Sequence, residues 1–240
     1  MSKLLKSIDA ISSLDQRDPD ASISIQKTQL DPKLALLRQW QAERLADTYA
    51  DLIQKRKYTL AGQFFLNDIY AAKDFSQRDN DLEYLYDVMS SILPKFLLAL
   101  VENTIELNNL SKILDSQLLT VLENDLGLTD HITPKMYTDG YRICNNYEQR
   151  KTQIDLILEV GRQVDLGTRI PLVGTAIRLA SGPSQRAGWG DVHGFLERGF
   201  KAFKRMRGAK YFLHTVEKRE MYILNQIFEG NTNPFETIPA

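Results

Sequence analysis

The chain has 240 residues, 43% of them hydrophobic and 25% charged, with a formal net charge of −1. That length can bury one sizeable core or at most two small ones, and the balanced charge gives no bulk attraction to nucleic acid. Cys144 is the only cysteine, which excludes an internal disulfide and any zinc site built from several thiolates.

In chain order, Leu4, Leu5, Ile8 and Ile11 have helical spacing, so a short amphipathic helix is expected inside a loose tail, residues 1–30. The opening Met1-Ser2-Lys3-Leu4-Leu5-Lys6 lacks the apolar run of a secretory signal. Residues 16–30 read as a linker. A helical bundle is expected over 31–236, beginning at Asp31-Pro32, an N-cap followed by proline. The first helix is predicted over 32–57, with Leu34, Leu37, Leu45, Tyr49 and Leu52 in one sector. A second follows over 60–71. Asp74-Phe75-Ser76-Gln77 has the form of a capping box before a helix with Leu82, Leu85, Tyr86, Met89 and Leu93 on one face and Asp79, Glu83 and Asp87 on the other.

Pro94 restarts the chain into a helix to about Leu126, with Gly127 as its C-cap. The apolar run Ile92 to Val101 contains Pro94 and Lys95 and is far short of the ~20 residues that span a bilayer. Thr133-Pro134 opens the next helix, in which Cys144 reads as a semi-buried thiol. A helix from about Tyr147 to Val164 follows, then a Gly- and Pro-broken stretch, 165–190, with one short helix from Leu172 to Leu179. Two closing helices carry Val192, Phe195, Leu196, Gly199, Phe200, Phe203 and Met206 on one stripe, then Phe212, Val216, Ile223, Leu224 and Ile227 on the next. Gly199 is expected to admit a neighbouring backbone, and Gly230 ends the last helix. No segment alternates like a strand. The expected fold is all-α: a single-domain bundle of eight or nine helices without a sheet.

Phe64-Phe65-Leu66-Asn67-Asp68-Ile69-Tyr70 with Asp74-Phe75-Ser76-Gln77-Arg78-Asp79-Asn80-Asp81, the run Phe195-Leu196-Glu197-Arg198-Gly199-Phe200-Lys201-Ala202-Phe203, and the ending Arg219-Glu220, Gly230 and Pro234-Phe235 resemble an uncharacterised family of bacterial proteins. The resemblance covers roughly residues 30–236 and implies an all-helical fold. It brings no activity, cofactor or catalytic residue.

Two constellations stand out. Asp68, Tyr70, Asp74, Arg78, Asp79 and Asp81 form a polar corner suited to a cation or small molecule, or else to capping and an Arg78 pair with Asp68 or Asp74. Its spacing is not that of a calcium loop. The second is charge segregation: residues 60–130 hold twelve acidic against four basic side chains, and 161–218 hold eleven basic against four acidic. Arg198, Lys201 and Arg205, with Lys204 beside them, line the side opposite the phenylalanines. They form a candidate contact face, replaceable without unfolding, for an acidic protein partner or an anionic surface.

Other signals are weaker. None of His131, His193 and His214 follows a glutamate by three residues, as a di-iron bundle requires, although His193 borders an apolar face where a haem ligand could stand. Gly188-Trp189-Gly190 precedes a helix and reads as a tight turn anchored by its tryptophan. No nucleophile elbow, P-loop or dinucleotide fingerprint is present. No cofactor or metal is implied, and nucleic acid is not the expected partner. The expectation is a cytoplasmic binding or regulatory protein rather than an enzyme. The alternative is a helical pocket for a small apolar or aromatic ligand, with or without an enzymatic activity, and a closed apolar cavity with convergent polar groups, as against a dry, filled core, would distinguish it.

Overall fold

In a computed structural model of the chain, the described residues are 31–69, 95–186, 188–236 and 238. Helices take up 80% of them and none lies in a strand, as the 3.6-residue spacing predicts. The N-terminal tail, the helix with Asp79, Glu83 and Asp87, and the Asp74 capping box lie outside the described residues.

Helix α1 (Pro32–Thr48) starts where Asp31 accepts hydrogen bonds from the backbone N–H groups of Lys33 and Leu34, at 2.8 and 3.0 Å. The sequence predicts an unbroken helix to residue 57, but the chain turns at Tyr49 (φ −114°, ψ 14°). That turn keeps the Tyr49 ring buried and brings its hydroxyl to Glu220, 2.8 Å away. The short helices α2 (Ala50–Ile53) and α3 (Thr59–Phe64) follow, and α3 runs into a π-turn over Phe65–Ile69.

Helix α4 (Lys95–Asn124) is the longest among the described residues, and the expected restart at Pro94 lies outside them. Gly127 (φ 67°) lets the Leu128 N–H return to the Leu122 carbonyl at 2.8 Å, closing the helix end. In α5 (Pro134–Cys144) the Thr133 hydroxyl accepts from Met136 N–H, and Asn145 ends the helix in the left-handed region. Then α6 (Tyr147–Arg169) extends five residues past the predicted end. The short helix α7 (Val173–Leu179) is where the sequence places it, and α8 (Ser181–Arg186), which passes through Gly182-Pro183, is an addition. Proline is tolerated there because it sits in the first turn. The closing helices are α9 (Gly190–Met206) and α10 (Lys210–Phe228).

Helix α6 is central, packing on α4, α7, α9 and α10. Three side-chain bonds fix its register on α4: Asn146 to Gln117, Arg150 to the Leu114 carbonyl, and Gln153 to Ser111, at 3.0, 3.0 and 2.8 Å. Numbers rising on one helix meet numbers falling on the other, so the pair is antiparallel. A continuous apolar cluster joins α1, α3, α4, α5, α6, α9 and α10 through residues such as Leu37, Leu122, Leu158, Phe203 and Ile227. Gly199 does admit a close neighbour, but that neighbour is the Phe64 ring, 3.0 Å from where a β-carbon would stand, rather than a backbone.

Candidate ligand cavity

Between α4, α6 and the surrounding helices lies a cavity of about 690 Å3. The antiparallel register gives it two unlike ends. Along α4 its wall changes from Leu100, Val101 and Leu107 to Asn108, Ser111 and Asp115. Along α6 it changes in the matching direction, from Ile157, Val160 and Val164 back to Gln153 and Arg150. From Leu100 to Asp115 the helix rises about 22 Å. Phe195 and Phe200 of α9 and Ile177 of α7 add to the apolar lining, with Thr104, Ser184 and His193 as its polar exceptions.

The polar end is organised round Tyr137, which is 2% exposed. Its hydroxyl meets that of Tyr141 at 2.7 Å, and its ring stacks on Trp40 with centroids 4.0 Å apart. The Arg150 guanidinium lies 4.3 Å over the Tyr141 ring. It is 3% exposed, and it donates to neutral acceptors, the Leu114 carbonyl and Gln153 Oε1. Burial works against its charge, but the nearby Tyr141, Tyr137 and Asp115 outweigh that and hold its pKa above the ordinary arginine value. Its Nε is buried without a hydrogen-bond partner. Burial also raises the Tyr137 phenol well above its usual range.

Asp115 accepts from Gln41 Nε2 at 3.0 Å. Burial pushes its carboxyl above the ordinary aspartate value, against the opposing pull of Gln41 and of Arg150 and Arg38. A second polar station sits where α1 meets α10: Arg44 and the Tyr49 hydroxyl both donate to Glu220 Oε1, at 2.7 and 2.8 Å. The cavity's acidic and basic lining is thus Arg38, Arg44, Lys112 and Arg150 against Asp115 and Glu220. Glu220 is engaged by Arg44 and Tyr49, and Asp115 by Gln41. Four cationic side chains against two carboxylates give this end an excess of positive charge.

The two predicted constellations fall elsewhere. Of the polar corner, Asp68 alone is described; Tyr70, Asp74, Arg78, Asp79 and Asp81 lie outside the described residues. Asp68 is 8% exposed and accepts from Arg198 Nε at 2.8 Å, with Arg198 Nη2 at 2.6 Å. One residue from each predicted site thus meets the other, tying α9 to the π-turn. Arg198 is for that reason a structural tie, and replacing it would leave a buried carboxylate without this cation. Lys201 pairs with Glu197 at 2.8 Å, Lys204 lies 5.5 Å from the Phe200 ring, and Arg205 is exposed. His193 is buried, with Nε2 2.7 Å from the Ile177 carbonyl, so it joins α9 to α7. Among the described residues no group of three or more His, Cys, Asp or Glu side chains could hold a metal ion. Trp189 is buried, as the tight-turn reading expects, and faces the cavity. Cys144 is a half-buried thiol whose pKa burial raises.

The cavity's polar residues were missed in the sequence, though a signal exists. Arg150 is in phase with Ile154 and Leu158, and Gln41 with Leu37 and Leu45, all buried on their helices. A polar residue inside an apolar stripe marks a place where a helix buries a hydrogen-bonding group.

Fold and cavity together define an all-helical protein with an amphipathic interior site. The chain belongs to the family described as a domain of unknown function, DUF8198, which it matches over residues 21–234. The match begins inside the segment expected to be a tail. No curated protein and no solved structure matches the chain.

Proposed function

We propose that this protein binds a small amphipathic molecule, with an aliphatic or aromatic body and an anionic head such as a carboxylate, in the cavity between α4 and α6. The observation that carries the reading is the polarity gradient along a cavity of about 690 Å3. Ligand sites span roughly 300–1,000 Å3 and combine apolar walls with a few convergent polar groups. The body lies along Leu100, Val160, Ile177 and Phe200. The head approaches the end held by Asn108, Ser111, Gln153 and Arg38.

The test is a fluorescence titration with anilinonaphthalene sulfonate, an anionic aromatic probe, followed by displacement with dodecanoate. Trp189 in the cavity wall provides a second signal through its own emission. Saturable one-to-one binding, competed by dodecanoate and lost in Ala176→Phe, is expected. Ala176 lines the cavity, so a phenylalanine there occupies ligand space without touching the polar end. If the space is filled by the chain itself, wild type binds no probe and Ala176→Phe overpacks, losing about 1–3 kcal/mol of stability. Either result overturns the proposal.

A further inference from the structure

The end of α6, the turn at Leu172, α7 and the outer side of α9 meet in a second, shallow hollow. Its charged lining is Arg169, Arg178, Lys201 and Lys204 against Glu197 alone. Arg169 bonds Asp165, which also accepts from Ala209 N–H, and Arg178 reaches the Thr175 hydroxyl at 3.5 Å.

Leu172 stands at the lip of this hollow. It is 61% exposed and holds φ 74°, ψ −16°. Side chains with a β-carbon rarely occupy this left-handed region, where glycine or asparagine serves a turn with less strain. The fold thus carries a strained residue whose side chain is mostly in solvent. Leu179, the last residue of α7 and next to Arg178, is 56% exposed. Leu166 is 59% exposed, one turn before Arg169 on α6. These are the three most exposed large hydrophobics among the described residues, and all lie on the segment that supplies Arg169 and Arg178, two of the four cations.

We infer that this corner docks the protein on an anionic lipid bilayer, with Leu166, Leu172 and Leu179 entering the boundary between headgroups and acyl chains while Arg169, Arg178, Lys201 and Lys204 meet lipid phosphates. Interfacial binding combines buried apolar area with attraction to anionic lipid. An acidic peptide would satisfy the cations but leave the exposed leucines in water. Among the described residues no helix is long and apolar enough to cross a membrane. The inference does not depend on what fills the cavity, although Ile177 and Phe200 line both spaces.

The test is flotation with vesicles of phosphatidylcholine alone and of phosphatidylcholine mixed with phosphatidylglycerol. Wild type is expected to float with the mixed vesicles only, and high salt is expected to release it. Leu172→Asn should weaken partitioning at least about tenfold, through loss of the inserted leucine, while melting no lower than wild type because its backbone strain is relieved. The double variant Arg178→Gln, Lys204→Gln should weaken it roughly fivefold per cation removed. The inference is overturned by failure to float with mixed vesicles, by equal flotation with neutral ones, or by either variant binding like wild type. A lower melting temperature for Leu172→Asn would show that the leucine serves the fold, which also overturns it. So would capture of polyglutamate by a protein that ignores vesicles, since that assigns the surface to acidic chains.

Discussion

Arg219 lies in phase with Val216 and Ile223 on the buried side of α10, is 5% exposed, and reaches across to the end of α1. One guanidinium nitrogen donates to the Thr48 carbonyl at 2.7 Å and to Asp51 at 2.6 Å, and the other donates to Asp51 at 3.0 Å. The Arg219 hydrogen bond holds the Asp51 carboxyl below its ordinary value of 3.8. A depressed carboxylate contributes stability above its unfolded pKa and loses it as pH falls through the lower folded value. Arg219→Met should therefore cost about 1.5–3 kcal/mol at neutral pH, most of it from the bonds themselves because Asp51 is half exposed. The acid-side loss attributable to Asp51 should vanish with it. Urea unfolding across the acid range measures both effects. Asp115 has the opposite sign. Its folded pKa is raised above 3.8 by burial, so ionisation penalises folding as pH rises past the unfolded value. Asp115→Asn keeps an acceptor for Gln41, and it should be more stable than wild type at neutral pH. That advantage should disappear once the pH falls below the unfolded carboxylate value. A wild type that is the more stable at neutral pH would contradict this account of Asp115.

At the level of elements, the close approach of α6 and α10 depends on Gly161, where an added β-carbon would stand 2.5 Å from Leu213 Cδ2. Gly161→Leu should destabilise the protein by about 1–3 kcal/mol through overpacking. Adding Leu213→Ala should recover part of that loss, since the two side chains share one space. Thermal or urea unfolding of the four proteins in this cycle checks the coupling, and purely additive losses would deny the contact. Element ends set by local chemistry were legible in the sequence: Asp31 before Pro32, Thr133 before Pro134, Gly127 and Gly230. Their capping bonds are made within a few residues. The break at Tyr49 was not legible, because its hydroxyl bonds Glu220, 171 residues further along the chain. The role of Gly199 was half legible: glycine signals a close approach, but nothing local says that the neighbour is the Phe64 ring.

Across the molecule, the candidate site was harder to read than the fold because it is made by register between distant helices. Arg150, Gln153 and Ser111 become neighbours only when α4 and α6 run antiparallel at one specific offset. The sequence shows each as a single polar residue on its own helix. The basic stripe was visible as a pattern, but Arg198 leaves it for Asp68 on the π-turn, a pairing 130 residues apart. What unites these observations is a cavity with one apolar and one polar end, and its occupant is the central question. The most direct measurement is a crystal structure of the protein grown with a dodecanoate brominated at its terminal carbon, read by the anomalous signal of bromine. The expected result is one bromine peak among Leu100, Val160, Ile177 and Phe200, with the carboxylate lying toward Ser111, Gln153 and Arg38. A cavity crossed by the chain's own side chains, or bromine bound only on the outer surface, would contradict the account.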